Sequence, residues 1–165
     1  MNLEVNTTRF GVVQVPSDRV LLFQRGLIGF EPLKRYVLLD SRKGGGIQWL
    51  QSLDRPEVAF LVSDPRLFLP GFRLQFQEES DPRQDLGDAA SLGEVGVYTI
   101  LHVDRQAGQI HVHVQSPLLI HAGTRRGVQI VTDADSPTVP VPAGSRTRPA
   151  PGTQGSPPPS SRPGT

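Results

Sequence analysis

The feature that most constrains this chain is a series of short apolar segments, each ended by turn-forming residues. The segments are short and show little sustained helical spacing, so they predict mostly β-structure. The predicted strands are residues 3–6, 11–15, 20–23, 36–39, 47–52, 58–62, 73–76, 95–103, 109–115, 118–120 and 128–131. Their spacing predicts an all-β, mainly antiparallel fold, a small β-barrel that is closed or partly open.

One short helix at most is expected. Asp81 is a suitable N-cap, Pro82 suits the first helical position, and Gly87 limits the helix to a turn or two.

The clearest hairpin joins residues 95–103 to 109–115. Its apolar side chains share one face only if Val103 pairs with Ile110 and Leu101 with Val112. The same register places His102 opposite His111 and Ile100 opposite His113. We predict this register.

Composition changes near residue 134. Residues 134–165 hold nine of the 16 prolines and almost no large apolar side chains. Such a segment cannot offset its ordering entropy, which predicts a disordered, partly polyproline II tail. The predicted domain is residues 1–133, and a proline-rich peptide ligand is the alternative interpretation of the tail.

The 165 residues, 36% of them hydrophobic, suit one globular domain. The absence of cysteine excludes disulfides and thiolate chemistry. The N-terminus does not resemble a signal peptide, and the longest apolar runs are too short to cross a bilayer, so a cytoplasmic protein with no membrane contact is expected. A net charge of +1 argues against a nucleic-acid-binding protein.

Catalytic and metal-binding patterns are weak. His102, His111 and His113 offer three nitrogen ligands, but a solvated strand face explains them equally well. The sequence has no Gly-x-Ser-x-Gly elbow or phosphate-binding loop, and Gly44-Gly45-Gly46 precedes a strand instead of a helix. We expect no enzyme activity, cofactor or metal.

A group of ordered fragments resembles one family, the flagellar assembly factor FliW. The fragments are Phe23-x-x-Gly26-Leu27-Ile28-Gly29-Phe30-Glu31, Tyr36-Val37-Leu38-Leu39, Trp49-Leu50-Gln51-Ser52, Val58-Ala59-Phe60, Asp64-Pro65 with Phe68 and Pro70, Pro117-Leu118-Leu119-Ile120 and Gly127-Val128-Gln129-Ile130. The similarity spans nearly all of residues 1–131.

This resemblance implies a non-enzymatic, β-barrel-like protein that binds flagellin and the translational repressor CsrA. It implies allosteric antagonism of CsrA, which relieves repression of flagellin mRNA translation, with no direct contact to nucleic acid. A monomer that forms a hetero-oligomer with the CsrA dimer is expected. A small β-barrel that binds nucleic acid itself is the alternative function.

Two segments combine apolar side chains with turn residues and are the predicted protein-binding sites. The residues are Asp64, Pro65, Phe68, Pro70 and Phe72 in one segment and Pro117, Leu119 and His121 in the other. The first segment either forms an exposed patch or folds back on the core.

The chain departs from the family pattern at His113 and His121, where the family typically has Asn. Histidine can imitate an amide hydrogen bond and can titrate near neutral pH. We therefore hypothesise pH-sensitive partner contacts at these two positions.

Overall fold

The computed structural model of the protein describes residues 1–41, 45–74, 82–87, 92–132 and 138–142. Its strands are β1 Asn2–Thr7, β2 Gly11–Pro16, β3 Leu21–Leu22, β4 Arg35–Asp40, β5 Gln48–Ser52, β6 Ala59–Ser63, β7 Val95–Asp104, β8 Gln109–His113, β9 Leu118–His121, β10 Arg126–Gln129 and β11 Thr138–Pro142. Short 3-10 helices span Ser17–Arg19, Pro65–Leu67 and Leu92–Glu94, and one α-helix, α1, spans Arg83–Leu86.

The main sheet closes into a ring of paired strands. Its order is β11-β8-β7-β6-β5-β4-β3-β10-β9, and β9 also pairs with β7. The path from β7 through β6 to β9 therefore returns to β7. The pairing of β10 with β3 is parallel, and the other pairings of the described strands are antiparallel. The all-β, mainly antiparallel class is confirmed.

Strand β7 is the junction of the ring and the β8–β11 extension. Residues 95–98 pair with β9, residues 99–100 with β6 and residues 101–104 with β8. The predicted hairpin register is confirmed, because Leu101 pairs with Val112, Val103 with Ile110 and His102 with His111. The ladder ends at Leu101, before the predicted pair of Ile100 with His113.

Four clusters of apolar residues pack on the main sheet, and one of them, around Leu101 and Val112, lies on its β7–β8–β11 part. The core inside the ring contains Leu21, Phe23, Leu27, Leu33, Tyr36, Leu50, Val62, Leu118 and Ile120. Strand β4 is apolar on both faces, because Tyr36 points into this core while Val37 packs with Val5 and Val15 of the β1–β2 hairpin. Helix α1 places Leu86 against Leu119, Val128 and Ile130 on the outer side.

Gly127 of β10 marks a close approach inside the ring. A Cβ atom built there would lie 2.4 Å from Cζ of Phe23, whose side chain is fully buried. Only glycine leaves room for this aromatic ring.

The segment 73–76 departs from its predicted strand. Arg73 and Leu74 have no regular secondary structure, and residues 75–76 lie outside the described part of the chain. Leu74 instead packs beside the α1 cluster. The short helix is present at Arg83–Leu86, although its predicted N-cap, Asp81, is not among the described residues.

Strand β11 lies within the segment 134–165 that the sequence predicts to be disordered. Val139 pairs with Val112 and Val141 with Ile110, and Val141 is buried in their cluster. The prediction of disorder is therefore wrong for Thr138–Pro142. Pro140 is compatible with this strand because an edge strand does not need every backbone donor. The other residues of that segment are not among those that the structure describes, and the predicted domain boundary at residue 133 stays a prediction.

Candidate binding site

The first predicted segment begins with a well-formed cap. Oδ1 of Asp64 accepts a hydrogen bond from the backbone N of Arg66 at 2.9 Å, which caps the 3-10 helix Pro65–Leu67. The Arg66 guanidinium donates to both carboxylate oxygens, at 3.0 and 2.6 Å. Partial burial raises the pKa of Asp64, but the side-chain and backbone donors of Arg66 outweigh it and hold this pKa below its usual value. Asp64 therefore works as a structural cap.

Most of this segment folds back on the protein. Pro65 and Phe68 are buried, and Phe68 packs in the cluster that includes Leu101 and Val112. Phe72 is half-buried at the edge of the same cluster, while Pro70 is exposed. The surface that the segment offers to a partner is therefore its second half, around Pro70 and Phe72.

The second predicted segment is buried throughout. Pro117 and Leu119 are buried, and His121 is only 1% exposed. Leu119 packs beneath α1, and the carbonyl oxygen of Pro117 accepts the N–H of Ile130 at 3.0 Å. Strand β7 lies between the two segments, since Thr99 pairs with Ser63 and Tyr98 with Leu118.

His121 organises the turn that follows β9. Its Nδ1 accepts hydrogen bonds from the backbone N of Gly123 at 3.0 Å and of Thr124 at 3.1 Å. Because Nδ1 accepts, the proton of the neutral ring is on Nε2, which is buried without a partner among the described residues. An Asn side-chain oxygen provides the same acceptor. The side chain of His121 thus makes internal hydrogen bonds, and the ring has almost no surface for a partner contact.

His113 lies on the outer face of the β7–β8 hairpin. Burial, followed by the charges of His102 and His111, lowers the pKa of His113. The rings of His102 and His111 have centroids 6.1 Å apart. Among the described residues no group of three His, Cys, Asp or Glu side chains is arranged to hold a metal ion.

An exposed apolar surface that the sequence reasoning missed lies at one end of the ring. It consists of Ile28, Gln129 and Val131, and we call it the Ile28 surface. Ile28 is 58% exposed and Val131 53%. The side chain of Gln129 joins two loops, because Oε1 accepts from the backbone N of Ile28 at 2.7 Å and Nε2 donates to the carbonyl of Ser116 at 3.1 Å.

The backbone explains why Ile28 is presented to solvent. Gly26 and Gly29 flank the Leu27–Ile28 pair with φ values of 68° and 87°. A Cβ atom on Gly26 would lie 2.5 Å from the carbonyl oxygen of Glu31. Leu27 is buried by this tight loop and Ile28 is turned outward. Two glycines around an apolar pair are the sequence pattern that indicates such a loop.

The fold and these surfaces define a class: a small, ring-like, mainly antiparallel β-protein with apolar loops at its surface. Within the ranges that the structure describes, no helix has the length and apolar character needed to span a membrane.

Comparison with known proteins identifies the family. The family model described as FliW protein matches residues 4–142, which extends past the resemblance at residue 131 and includes β11. The flagellar assembly factor FliW of Caldanaerobacter subterraneus subsp. tengcongensis is 31% identical over 134 residues, covering 81% of this chain and 87% of that protein. The flagellar assembly factor FliW of Thermoanaerobacter pseudethanolicus is 28% identical over 134 residues, with coverages of 81% and 87%.

A solved structure shares the fold. The crystal structure of the flagellar assembly factor FliW matches with a TM-score of 0.71 at 23% identity, covering 82% of this chain and 94% of that chain. The chain belongs to the FliW family of flagellar assembly factors.

Proposed function

We propose that this protein is a cytoplasmic, non-enzymatic assembly factor that binds flagellin and CsrA. The observation that carries the proposal is the family match over residues 4–142, which takes in nearly every described element. CsrA bound by this protein releases flagellin mRNA, and flagellin competes for the protein and frees CsrA.

The charge distribution supports a basic partner. Residues 1–133 hold 14 of the 17 Lys and Arg residues and 15 of the 16 Asp and Glu residues, so the body is slightly acidic. An RNA-binding repressor is basic, and opposite charge accelerates encounter between partners. The same balance disfavours direct RNA binding by this chain.

The surface residues limit where a partner can bind. Of the predicted sites, Pro70 and Phe72 offer side chains at the surface, whereas Phe68, Pro117, Leu119 and His121 support the loops from inside. The Ile28 surface extends the second predicted segment, since Gln129 hydrogen-bonds Ser116, the residue before Pro117. We assign partner contacts to the Pro70–Phe72 loop and to the Ile28 surface.

A pull-down from the native cell extract tests the partners. The tagged full chain is expected to recover both flagellin and CsrA, and recovery of neither contradicts the proposal. Ile28→Glu tests the surface, and Val12→Glu is the matched control, because Val12 is 59% exposed on β2 and Ile28 58% exposed. We expect only Ile28→Glu to reduce capture. Equal capture by both variants would remove the Ile28 surface from the proposal.

A kinetic experiment tests the allosteric antagonism. Labelled flagellin mRNA is bound to CsrA, and its dissociation rate is measured with increasing amounts of this protein. A rate that rises with concentration is expected, since a protein bound at another site accelerates release. A constant rate would indicate competition for the RNA site instead.

Light scattering is expected to show a monomer alone and a hetero-oligomer with the CsrA dimer.

A further inference from the structure

A cavity opens at the end of the ring opposite the Ile28 surface. Its volume is about 340 Å³, and its lining residues are Arg19, Leu38, Leu39, Asp40, Gln48 and Arg125. This volume is within the range of roughly 300 to 1,000 Å³ that small-ligand sites occupy. Strand β10 connects the two ends, because it follows Arg125 directly and ends at Gln129 of the Ile28 surface.

Arg125 has an unusual backbone conformation at this cavity. Its φ is 59°, and among the described residues it is the one non-glycine residue with a positive φ. Its N–H donates to the carbonyl of His121 at 2.9 Å, and its own carbonyl accepts from Leu22 at 2.9 Å. The capped turn after β9 and the edge of β3 together hold Arg125 in this conformation. A left-handed residue of this kind closes many short hairpin loops, and here it fixes the direction in which the Arg125 side chain leaves the backbone.

The guanidinium of Arg125 has an unused donor. Nη2 donates to the carbonyl oxygen of Arg19 at 3.0 Å. Nε is buried and has no hydrogen-bond partner among the described residues. Solvent does not reach this nitrogen, so a ligand in the cavity would meet the Nη atoms, and its negative charge would offset the cost of a buried, charged group with an unpaired donor.

The charges around the cavity favour an anion. Arg19 and Arg125 supply two positive charges, and Asp40 supplies one negative charge. Oδ1 of Asp40 already accepts a hydrogen bond from Nε2 of Gln48 at 3.3 Å. Arg19, which also lines the cavity, is exposed. The lining therefore carries one net positive charge and guanidinium donors directed by a fixed turn.

We infer that this cavity is a binding site for an oxyanion group, a carboxylate or a phosphate, held by the guanidinium groups of Arg125 and Arg19. A guanidinium presents parallel N–H donors that match the two oxygens of either group. The site is at the other end of the ring from the surface assigned to protein partners, so it is independent of the proposed function.

Nuclear magnetic resonance tests the site directly through the Nε–Hε resonance of Arg125. The full chain is titrated with sodium phosphate and, separately, with sodium malonate, and sodium chloride keeps the ionic strength constant. A saturable shift of this resonance is expected with at least one of the two anions. Saturation by malonate alone identifies a carboxylate site, and saturation by phosphate alone identifies a phosphate site.

Variants separate the site from general charge effects. Arg125→Lys keeps the charge but loses the planar fork, and we expect about tenfold weaker binding. Arg19→Gln is expected to weaken binding several-fold, and its exposed side chain makes it a safe second variant if Arg125→Lys fails to fold. Arg105→Gln, in the exposed β7–β8 loop, is the matched control and should bind as the unaltered chain does.

Linear, unsaturated shifts with both anions would overturn the inference. Equal anion binding by the Arg19→Gln variant, the Arg105→Gln variant and the unaltered chain would also overturn it. The anion titration and the comparison of variants do not depend on capture of flagellin or CsrA, so failure of the proposed function is distinguishable from failure of this site.

Discussion

Replacing His121 tests whether its role is to cap a turn. The side chain is 1% exposed, and its Nδ1 accepts hydrogen bonds from the backbone N–H groups of Gly123 and Thr124. His121→Leu fills much of the same volume but removes the acceptor. His121→Asn is smaller but places an oxygen where it can accept the same two N–H groups. The pair therefore separates hydrogen bonding from packing.

The expected magnitudes follow from the surroundings of the turn. A buried N–H that loses its acceptor costs about 1 to 3 kcal/mol, and two are affected here. Gly123 is exposed, so water replaces part of its lost bond. Leucine also removes the unpartnered Nε2, which offsets some of the loss. We expect His121→Leu to lower the free energy of unfolding by about 2 kcal/mol and His121→Asn by about 1 kcal/mol, through lost packing.

Urea unfolding followed by the fluorescence of Trp49 measures both changes. Trp49 is the single tryptophan of the chain, and it packs edge-on to Phe10, with ring centroids 6.2 Å apart, beneath the guanidinium of Arg9. Its environment therefore reports the folded state. The reasoning would be refuted if His121→Asn destabilised the protein as much as His121→Leu, or if neither variant changed the free energy of unfolding.

Three further predictions concern stability. Gly127→Ala is expected to cost about 1 to 3 kcal/mol in a thermal melt, because the new Cβ overlaps the Phe23 ring. Asp54→Asn should cost about 1 kcal/mol at pH 7 and less at pH 3. Burial raises the pKa of Asp54, but the N–H donors of Arg35 and Lys34 lower it by more, so the folded pKa is below the unfolded one. The contribution of Asp54 to stability is therefore present above the unfolded pKa and is lost as the pH falls through the folded pKa. Equal losses of stability at pH 7 and pH 3 would contradict this. A chain ending at residue 137 should lose about 2 kcal/mol relative to one ending at residue 142, through Val141 and its neighbours, and identical urea midpoints would argue against a stable β11.

The local part of the fold follows from side-chain alternation. On β8, Ile110 and Val112 alternate with His111 and His113, which fixes the register with β7 before any long-range contact is considered. Closure of the ring cannot be predicted from side-chain alternation. It depends on β7 pairing with β6 through residues 99–100 and with β9 through residues 95–98, and no local pattern in β7 specifies two such partners.

Burial limits what sequence shows of the site. Apolar residues beside turn residues fit an exposed loop and a loop folded onto the core equally well. The sequence pattern therefore does not distinguish Phe68, which is buried, from Pro70, which is exposed. Strand β9 is buried on both faces and shows no alternation that would reveal it. Strand β11 is not recognisable from sequence because its prolines predict a disordered segment. An edge strand can nevertheless accommodate proline.

The two histidines that depart from the family pattern have different physical roles. His113 is half-buried on a strand face beside two other histidines, and burial together with these neighbours lowers its pKa. A contact through His113 would therefore change at a lower pH than a contact through an ordinary histidine. His121 acts on the turn that holds Arg125 in its left-handed conformation, since the carbonyl of His121 accepts the N–H of Arg125. Either His or Asn can cap this turn through its side chain, and the backbone bond to Arg125 does not depend on that choice, so both residues are compatible with the conformation of Arg125.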